Sequence, residues 1–355
     1  MVNLTRPEGS KPEDFHLSRR GLAGLFFAGY AAAAFSAKAD PIVTDEVGLS
    51  IEAVMVQAAD RKIPAYLARP ESSARAPFPA VIVVSEVFGV HEYIRDICRR
   101  LAKLGYVAIA PAFFVRAGDP APLTDMGAVM KIVMATPDAQ VLGDVGATLS
   151  YLKAREDVIG DRLAITGFCW GGKIAWLACE TFPDFRAGAA WYGRLAPPAA
   201  GDDAVQAQGA LWPIQKVADL RAPMLGLYAG GDPLSQSVPA MRDALDVAHK
   251  TGTEIIVYPD AQHGFHADYR PSYNEADAQD GWMRMLAHFA LNGAVSHHDP
   301  ANHSSRSRTK FKSRFRRSGP KRSRSKRSGS KRSGSKRSGR TTYPHPTHRR
   351  RGRRG

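Results

Sequence analysis

Along the chain, short apolar runs alternate with longer stretches in which apolar residues recur at helical spacing. Strand-type runs stand near Ala80, Tyr106, Leu163, Ala187, Met224 and Glu254. Between them, helical spacing marks Tyr93 to Leu104, Val141 to Arg155, Ile174 to Thr181, Pro239 to His249 and Asp277 to Leu291. Runs that are apolar at nearly every position suit strands covered on both faces, and their alternation with helices predicts an α/β architecture, a mostly parallel central sheet with helices on both sides. The pattern places this domain over residues 40–295.

Chemistry enters at the ends of these runs. After the apolar stretch Arg162 to Thr166 comes Gly167-Phe168-Cys169-Trp170-Gly171-Gly172, and helix formers follow from Lys173 to Glu180. Gly-x-Cys-x-Gly between a strand and a helix has the form of a nucleophile elbow, in which glycines let strand and helix approach closely around a strained residue. The plainer reading is a buried cysteine acting as a small hydrophobe. Two later strand ends favour catalysis. Ala222 to Ala229 runs into Gly230-Gly231-Asp232-Pro233, and Glu254 to Tyr258 runs into Asp260-Ala261-Gln262-His263. Nucleophile, acid and histidine in this chain order, each just past a strand, form a candidate triad of Cys169, Asp232 and His263. His266 is a second, more distant candidate for the base. A thiol is mostly protonated at neutral pH and needs an adjacent base, which Asp232 would orient. The oxyanion of the acyl-transfer step would be held by the backbone N–H groups of Trp170 and Val87.

With these residues the chain resembles the dienelactone hydrolase family, cysteine-dependent enzymes of the α/β-hydrolase fold that open lactone or enol-ester bonds. Ala80 to Val90, containing Glu86-Val87-Phe88-Gly89, matches the family's Glu-x-Phe-Gly strand end; Gly105 to Pro111 and Trp191-Tyr192-Gly193 match as well. The resemblance spans about residues 50 to 290. It implies that Glu86 contacts the resting cysteine and is displaced by substrate, a gating role, since a carboxylate beside a thiol raises the thiol's pKa. The alternative for Glu86 is a cap on the following helix. The resemblance also implies a substrate carboxylate bound by arginines, one of them four residues after the histidine. Here that position is Ala267, and Thr124 to Val129, where the second would fall, contains no arginine. Arg116, Arg194 and Arg270 are possible substitutes, with Tyr192 as a further substrate contact. Two alternatives accompany the lactone or ester hydrolase: a carboxylesterase or thioesterase on neutral substrates, and a binding protein acting through its basic tail.

Composition modifies only the ends. Of the 49 Lys and Arg, 22 lie in residues 301–355, where there is no Asp or Glu, which leaves 27 basic against 34 acidic residues in 1–300. The formal charge of +15 therefore belongs to the tail. Ser-Lys-Arg-Ser-Gly recurs in tandem from Ser325 to Gly339, so residues 296–355 read as a disordered basic tail. It would bind nucleic acid or an anionic surface, if it binds anything; otherwise it is a solvated appendage or a translated wrong frame. Ser18-Arg19-Arg20 before the apolar stretch Leu22 to Phe35, followed by Ala37-Lys38-Ala39, gives residues 1–39 signal-peptide anatomy of twin-arginine type, hence export, to the periplasm, with no stable membrane anchor. Three scattered cysteines, Cys98, Cys169 and Cys179, suit no structural zinc site, and a Cys98–Cys179 disulfide stays open. No cofactor or metal is implied, the expected partner is a small-molecule ester or lactone, and nothing in the pattern bears on oligomeric state.

Overall fold

The computed structural model describes residues 41–72, 76–198 and 209–295. The expected leader (1–39) and basic tail (296–355) lie outside them. The chain divides into two units at residue 309, and the described residues all fall in the first.

Eight strands form one sheet: β1 (Leu49–Gln57), β2 (Lys62–Pro70), β3 (Phe78–Val84), β4 (Val107–Pro111), β5 (Val158–Phe168), β6 (Phe185–Trp191), β7 (Met224–Ala229) and β8 (Glu254–Tyr258). Their order is β1-β2-β4-β3-β5-β6-β7-β8. β1 and β2 pair antiparallel, as do β2 and β4, and every other pairing is parallel. Every residue of β3, β4 and β7 is buried, the consequence of cover on both faces.

Two apolar layers provide that cover. Helices α1 (Glu92–Lys103) and α7 (Glu275–Leu291) pack on one face through Ile94, Ile97, Leu101, Met285 and Phe289. Helices α3 (Asp138–Lys153), α4 (Trp170–Thr181) and α6 (Val238–Val247) pack on the other through Val141, Leu149, Ile174, Leu177 and Met241. Helices α2 (Met126–Met134) and α5 (Pro213–Lys216) complete the set among the described residues.

The parallel strands and their helices agree with the hydrophobic pattern. The β1–β2 hairpin and α2 were not anticipated. β1 is an edge strand of mostly half-buried residues, and β2 carries Pro64 and exposed Lys62, so neither shows a continuous apolar run. Helix α2 starts at an Asp125 cap whose carboxylate accepts from the Gly127 and Ala128 amides, and only Val129 and Val133 of it are buried. Cys98 and Cys179 are both free, so the disulfide left open by the sequence is not formed.

A buried ion pair pins the helix that carries the elbow. Lys173 Nζ donates to Asp138 Oδ2 at 2.5 Å, and the same oxygen accepts from the Leu211 amide at 2.7 Å. The ammonium also lies 4.5 Å from the centroid of the Trp212 ring. Three chain segments are thereby tied at one carboxylate, and loss of either charge would leave the other buried and uncompensated.

Glu180 on α4 has no such partner. It is buried with neither carboxyl oxygen hydrogen-bonded among the described residues. Burial pushes its pKa up to about 9, Lys216 opposing and Asp219 reinforcing the shift. A carboxyl whose folded-state pKa lies above its ordinary 4.5 stabilises fully below that value, and its contribution is lost as pH rises through about 9. Glu180→Gln should remove that loss. Thermal melts at pH 5 and pH 9 should show the variant gaining on the parent by at least about 3 °C over the interval, and equal pH slopes would contradict the assignment.

Candidate active site

Cys169 sits between β5 and α4 with φ 55° and ψ −116°, in the left-handed half of backbone space that a side chain occupies only under constraint. The constraint is packing. A Cβ at Gly167 would run into the Gly171 carbonyl; one at Gly171 would lie 2.5 Å from the Ser85 carbonyl oxygen, and one at Gly172 2.7 Å from that of Trp191. The Cys169 amide donates to the Trp191 carbonyl at 2.9 Å, which fixes the turn against β6. Helix α4 thus begins at Trp170, four residues before Ile174, where the apolar spacing starts it. Trp170 opens helix α4 and Val87 follows Glu86 beyond β3, so both lie past the carboxyl ends of neighbouring strands.

The loops past β7 and β8 bring Asp232 and His263 together. His263 Nδ1 donates to Asp232 Oδ2 at 2.5 Å, and Asp232 Oδ1 accepts from the Leu234 amide at 3.0 Å. The other face of the imidazole is within hydrogen-bonding reach of Cys169. Burial works against the charged imidazole, but Asp232, joined by Cys169, outweighs it and raises the His263 pKa from 6.5 to about 9. His266 is not part of this group. Its Nδ1 lies 2.7 Å from the Tyr93 hydroxyl and its ring 4.4 Å from that of Trp191, and burial, helped by Arg100, lowers its pKa to about 3.

Glu86 follows β3 and is fully buried. Its carboxylate meets three donors. Arg270 Nη2 is 3.0 Å from Oε1, the Tyr269 hydroxyl donates to Oε2 at 2.6 Å, and His91 Nε2 is 3.4 Å from Oε2. Burial opposes its ionisation, yet Arg270, then His91 and Tyr269, prevail and hold its pKa down to about 2. Arg270 in turn lies against the turn that follows His263, with Nη1 3.2 Å from where a Cβ would stand on Gly264. Tyr192, at φ 42°, places its ring 5.0 Å from that of His263, and its buried hydroxyl faces Glu86 and Arg270.

The sequence-derived candidates therefore separate. Cys169, Asp232 and His263 converge, with Glu86, Tyr192 and Arg270 beside them. Arg116 does not join them: its guanidinium is engaged by Asp60, with Nε to Oδ2 at 2.8 Å, and by Asp144, with Nη1 to Oδ2 at 2.6 Å. Among substrate candidates it is corrected to a structural ion pair, because two carboxylates already occupy its donors. Arg194 stands close to the Lys173–Asp138 pair and opposes the charge of Lys173. Sequence reasoning missed Tyr269 and His91. A signal existed for Tyr269, which neighbours Arg270 in the loop that carries His263.

The comparisons fit this geometry. The family model described as the dienelactone hydrolase family matches residues 63–292. The chain belongs to the dienelactone hydrolase family. A relative from Methylorubrum extorquens, provisionally named carboxymethylenebutenolidase, is 44% identical over 287 residues, 79% of this chain and 94% of its own length. One of the same name from Escherichia coli K12 is 44% identical over 75% of this chain and 96% of its length. A crystal structure from Klebsiella pneumoniae, described provisionally as a dienelactone hydrolase, superposes with TM-score 0.63 at 45% identity, covering 68% of this chain and 98% of that one. The fold is that of the α/β-hydrolases, and as a member of this family the protein is a hydrolase.

Two outcomes test the geometry. Gly167→Ala should destabilise by about 3 kcal/mol or prevent folding, because its Cβ meets backbone, not a movable side chain; a loss below about 1 kcal/mol in chemical denaturation would show that strand and helix have room to spare. Asp232→Asn should move the His263 midpoint, followed by imidazole NMR, from about 9 toward 6.5. His263 stabilises the fold fully below pH 6.5 and loses that contribution as pH rises through about 9, so the same variant should flatten the alkaline fall in stability.

Proposed function

We propose that the protein hydrolyses an ester or lactone through Cys169 as nucleophile, His263 as base and acid, and Asp232 as the carboxylate that orients and charges the imidazole. The observation that carries this reading is the coincidence of a left-handed elbow cysteine with a histidine in hydrogen-bonding reach that is itself bonded to a buried aspartate. The names of the relatives above point to the same class of bond.

The thiol proton passes to His263 Nε2, a ring whose raised basicity suits it to accept one. Sγ attacks the acyl carbon, and the tetrahedral oxyanion is received by the Val87 and Trp170 amides. Collapse breaks the bond to the leaving oxygen, which takes the proton from His263, and leaves a thioester on Cys169. Water then gives a proton to His263 and attacks the thioester; the second tetrahedral species releases the carboxylic acid and returns the thiol. In a lactone the leaving oxygen stays on the acyl chain, so one hydroxy acid is the product.

The alternative of a scaffold that works through its basic tail makes the opposite forecast. Cys169→Ala should reduce p-nitrophenyl butyrate turnover at least about 1,000-fold, while removal of residues 301–355 should leave kcat/KM within about twofold. Rapid quenching and intact-mass analysis should find the butyryl group on Cys169. Full turnover by Cys169→Ala, or an adduct on another residue, would overturn the mechanism.

A further inference from the structure

We propose that Arg100, on helix α1, is a positioning residue for the base: through Asp268 it holds the loop that carries His263. This rests on the hydrolase reading above and deepens it by naming a group that acts on the reaction through His263.

The loop past β8 is a chain of turns. The Phe265 amide donates to the Gln262 carbonyl at 3.1 Å, that of Ala267 to the Gly264 carbonyl at 2.8 Å and that of Arg270 to the Ala267 carbonyl at 2.9 Å. Each turn overlaps the next, so His263 and Asp268 do not move independently. Asp268 is 2% exposed, and its Oδ2 accepts from Arg100 Nη2 at 2.5 Å. No other cation is paired with it among the described residues. Arg100 is itself fixed, because its Nε donates at 2.6 Å to Oδ2 of Asp96, one turn earlier on the helix. The other oxygen of Asp96 accepts from the Thr44 amide at 2.7 Å and from Arg99 Nη2 at 3.0 Å. Tyr93, two turns before Arg100 on the same face of α1, meets the same loop, its hydroxyl 2.7 Å from His266 Nδ1. One helix thus grips the loop at His266 and at Asp268.

Loss of Arg100 would act on the loop itself. Burial and the like charges of Asp96 and Glu86 disfavour the ionised form of Asp268, and Arg100 opposes them. Without the guanidinium Asp268 would be a buried anion with no counter-charge, so the loop would turn it toward water or the carboxyl would take up a proton. Either way the charged tether to α1 is gone. His263 depends on that tether because its imidazole must meet Asp232 at one nitrogen and Cys169 at the other. A base displaced by about 1 Å can lose about a hundredfold in rate. Arg99 supplies the contrast. It is the neighbour of Arg100 and binds the same Asp96, but its remaining donors reach the Thr44 carbonyl, the Tyr66 hydroxyl and Glu92, none of them in the loop.

Hydrolysis of p-nitrophenyl butyrate by the full chain, with active sites counted by acylation, tests the tether. Arg100→Met should lower kcat at least about tenfold with KM within about threefold, and Arg100→Lys, which keeps a cation within reach of Asp268, should restore kcat to within about threefold of the parent. Arg99→Met, which takes a comparable bond from Asp96, should leave kcat within about threefold. Asp268→Asn should also lower kcat, and the double variant Arg100→Met with Asp268→Asn should be no slower than Arg100→Met, as two groups acting through one contact require. The NMR signal of the His263 Nδ1 proton reports the bond to Asp232 independently of turnover; it should shift in Arg100→Met and stay in place in Arg99→Met. A parent-like kcat per active site in Arg100→Met, or an equal loss in Arg99→Met, overturns the proposal. If Arg100→Met does not fold, Asp268→Asn carries the test, since an amide needs no counter-charge, and a parent-like kcat there overturns the proposal in the same way. The residue that bears the acyl group is read separately by mass, so failure of the tether and failure of the mechanism remain distinguishable.

Discussion

The site depends on how closely helix α4 approaches the strands beneath it. Cys169 can hold a left-handed backbone only because Gly167, Gly171 and Gly172 let the start of the helix touch β3, β5 and β6 at distances where no Cβ fits. That contact is backbone on backbone, so side-chain repacking cannot relieve a substitution there. The same contact sets where the Trp170 amide stands and how far the thiol is from the loop past β8. Strain at Cys169 is thus borne by a thoroughly buried part of the sheet, a region able to over-determine it. The Lys173–Asp138 pair reinforces this from the other side by tying α4 to α3 and to the chain at Leu211.

Much of this was legible in sequence because parallel α/β sheets place their chemistry where strands end. A reader who finds Met224 to Ala229 and Glu254 to Tyr258 as apolar runs has located Asp232 and His263 without knowing their partners. Legibility fails where the informative quantity is a spatial pairing with no local imprint. Arg116 is as plausible in sequence as Arg270; only the fold shows the first engaged by Asp60, 56 residues away, and the second beside Glu86. The β1–β2 hairpin fails for another reason: an edge strand half open to water need not be apolar, and Pro64 further obscures its alternation.

Glu86 shows what the fold adds to a family resemblance at one residue. The resemblance implies a carboxylate that faces the resting thiol and restrains it by like charge. In the fold its carboxylate is bound by Arg270, Tyr269 and His91. These three donors stabilise the ionised form of a carboxylate that burial alone would disfavour.

Two buried ion pairs therefore stand in the loops past β3, β7 and β8, and they differ in whether a member titrates. In Asp232–His263 the titrating member is turned toward Cys169, and the carboxylate behind it makes the ring a stronger base. In Glu86–Arg270 neither member titrates near neutral pH, since the carboxylate is held down to about 2 and a guanidinium stays charged. The first pair can gain or lose a proton; the second can only contribute a fixed field. Removing one member of the second pair would leave a buried charge uncompensated, and the loop that carries both His263 and Arg270 would have to adjust to it. Base and fixed pair are consequently coupled through one short stretch of chain, residues 263 to 270. A change in the Glu86–Arg270 pair is thereby also a change in how His263 is held.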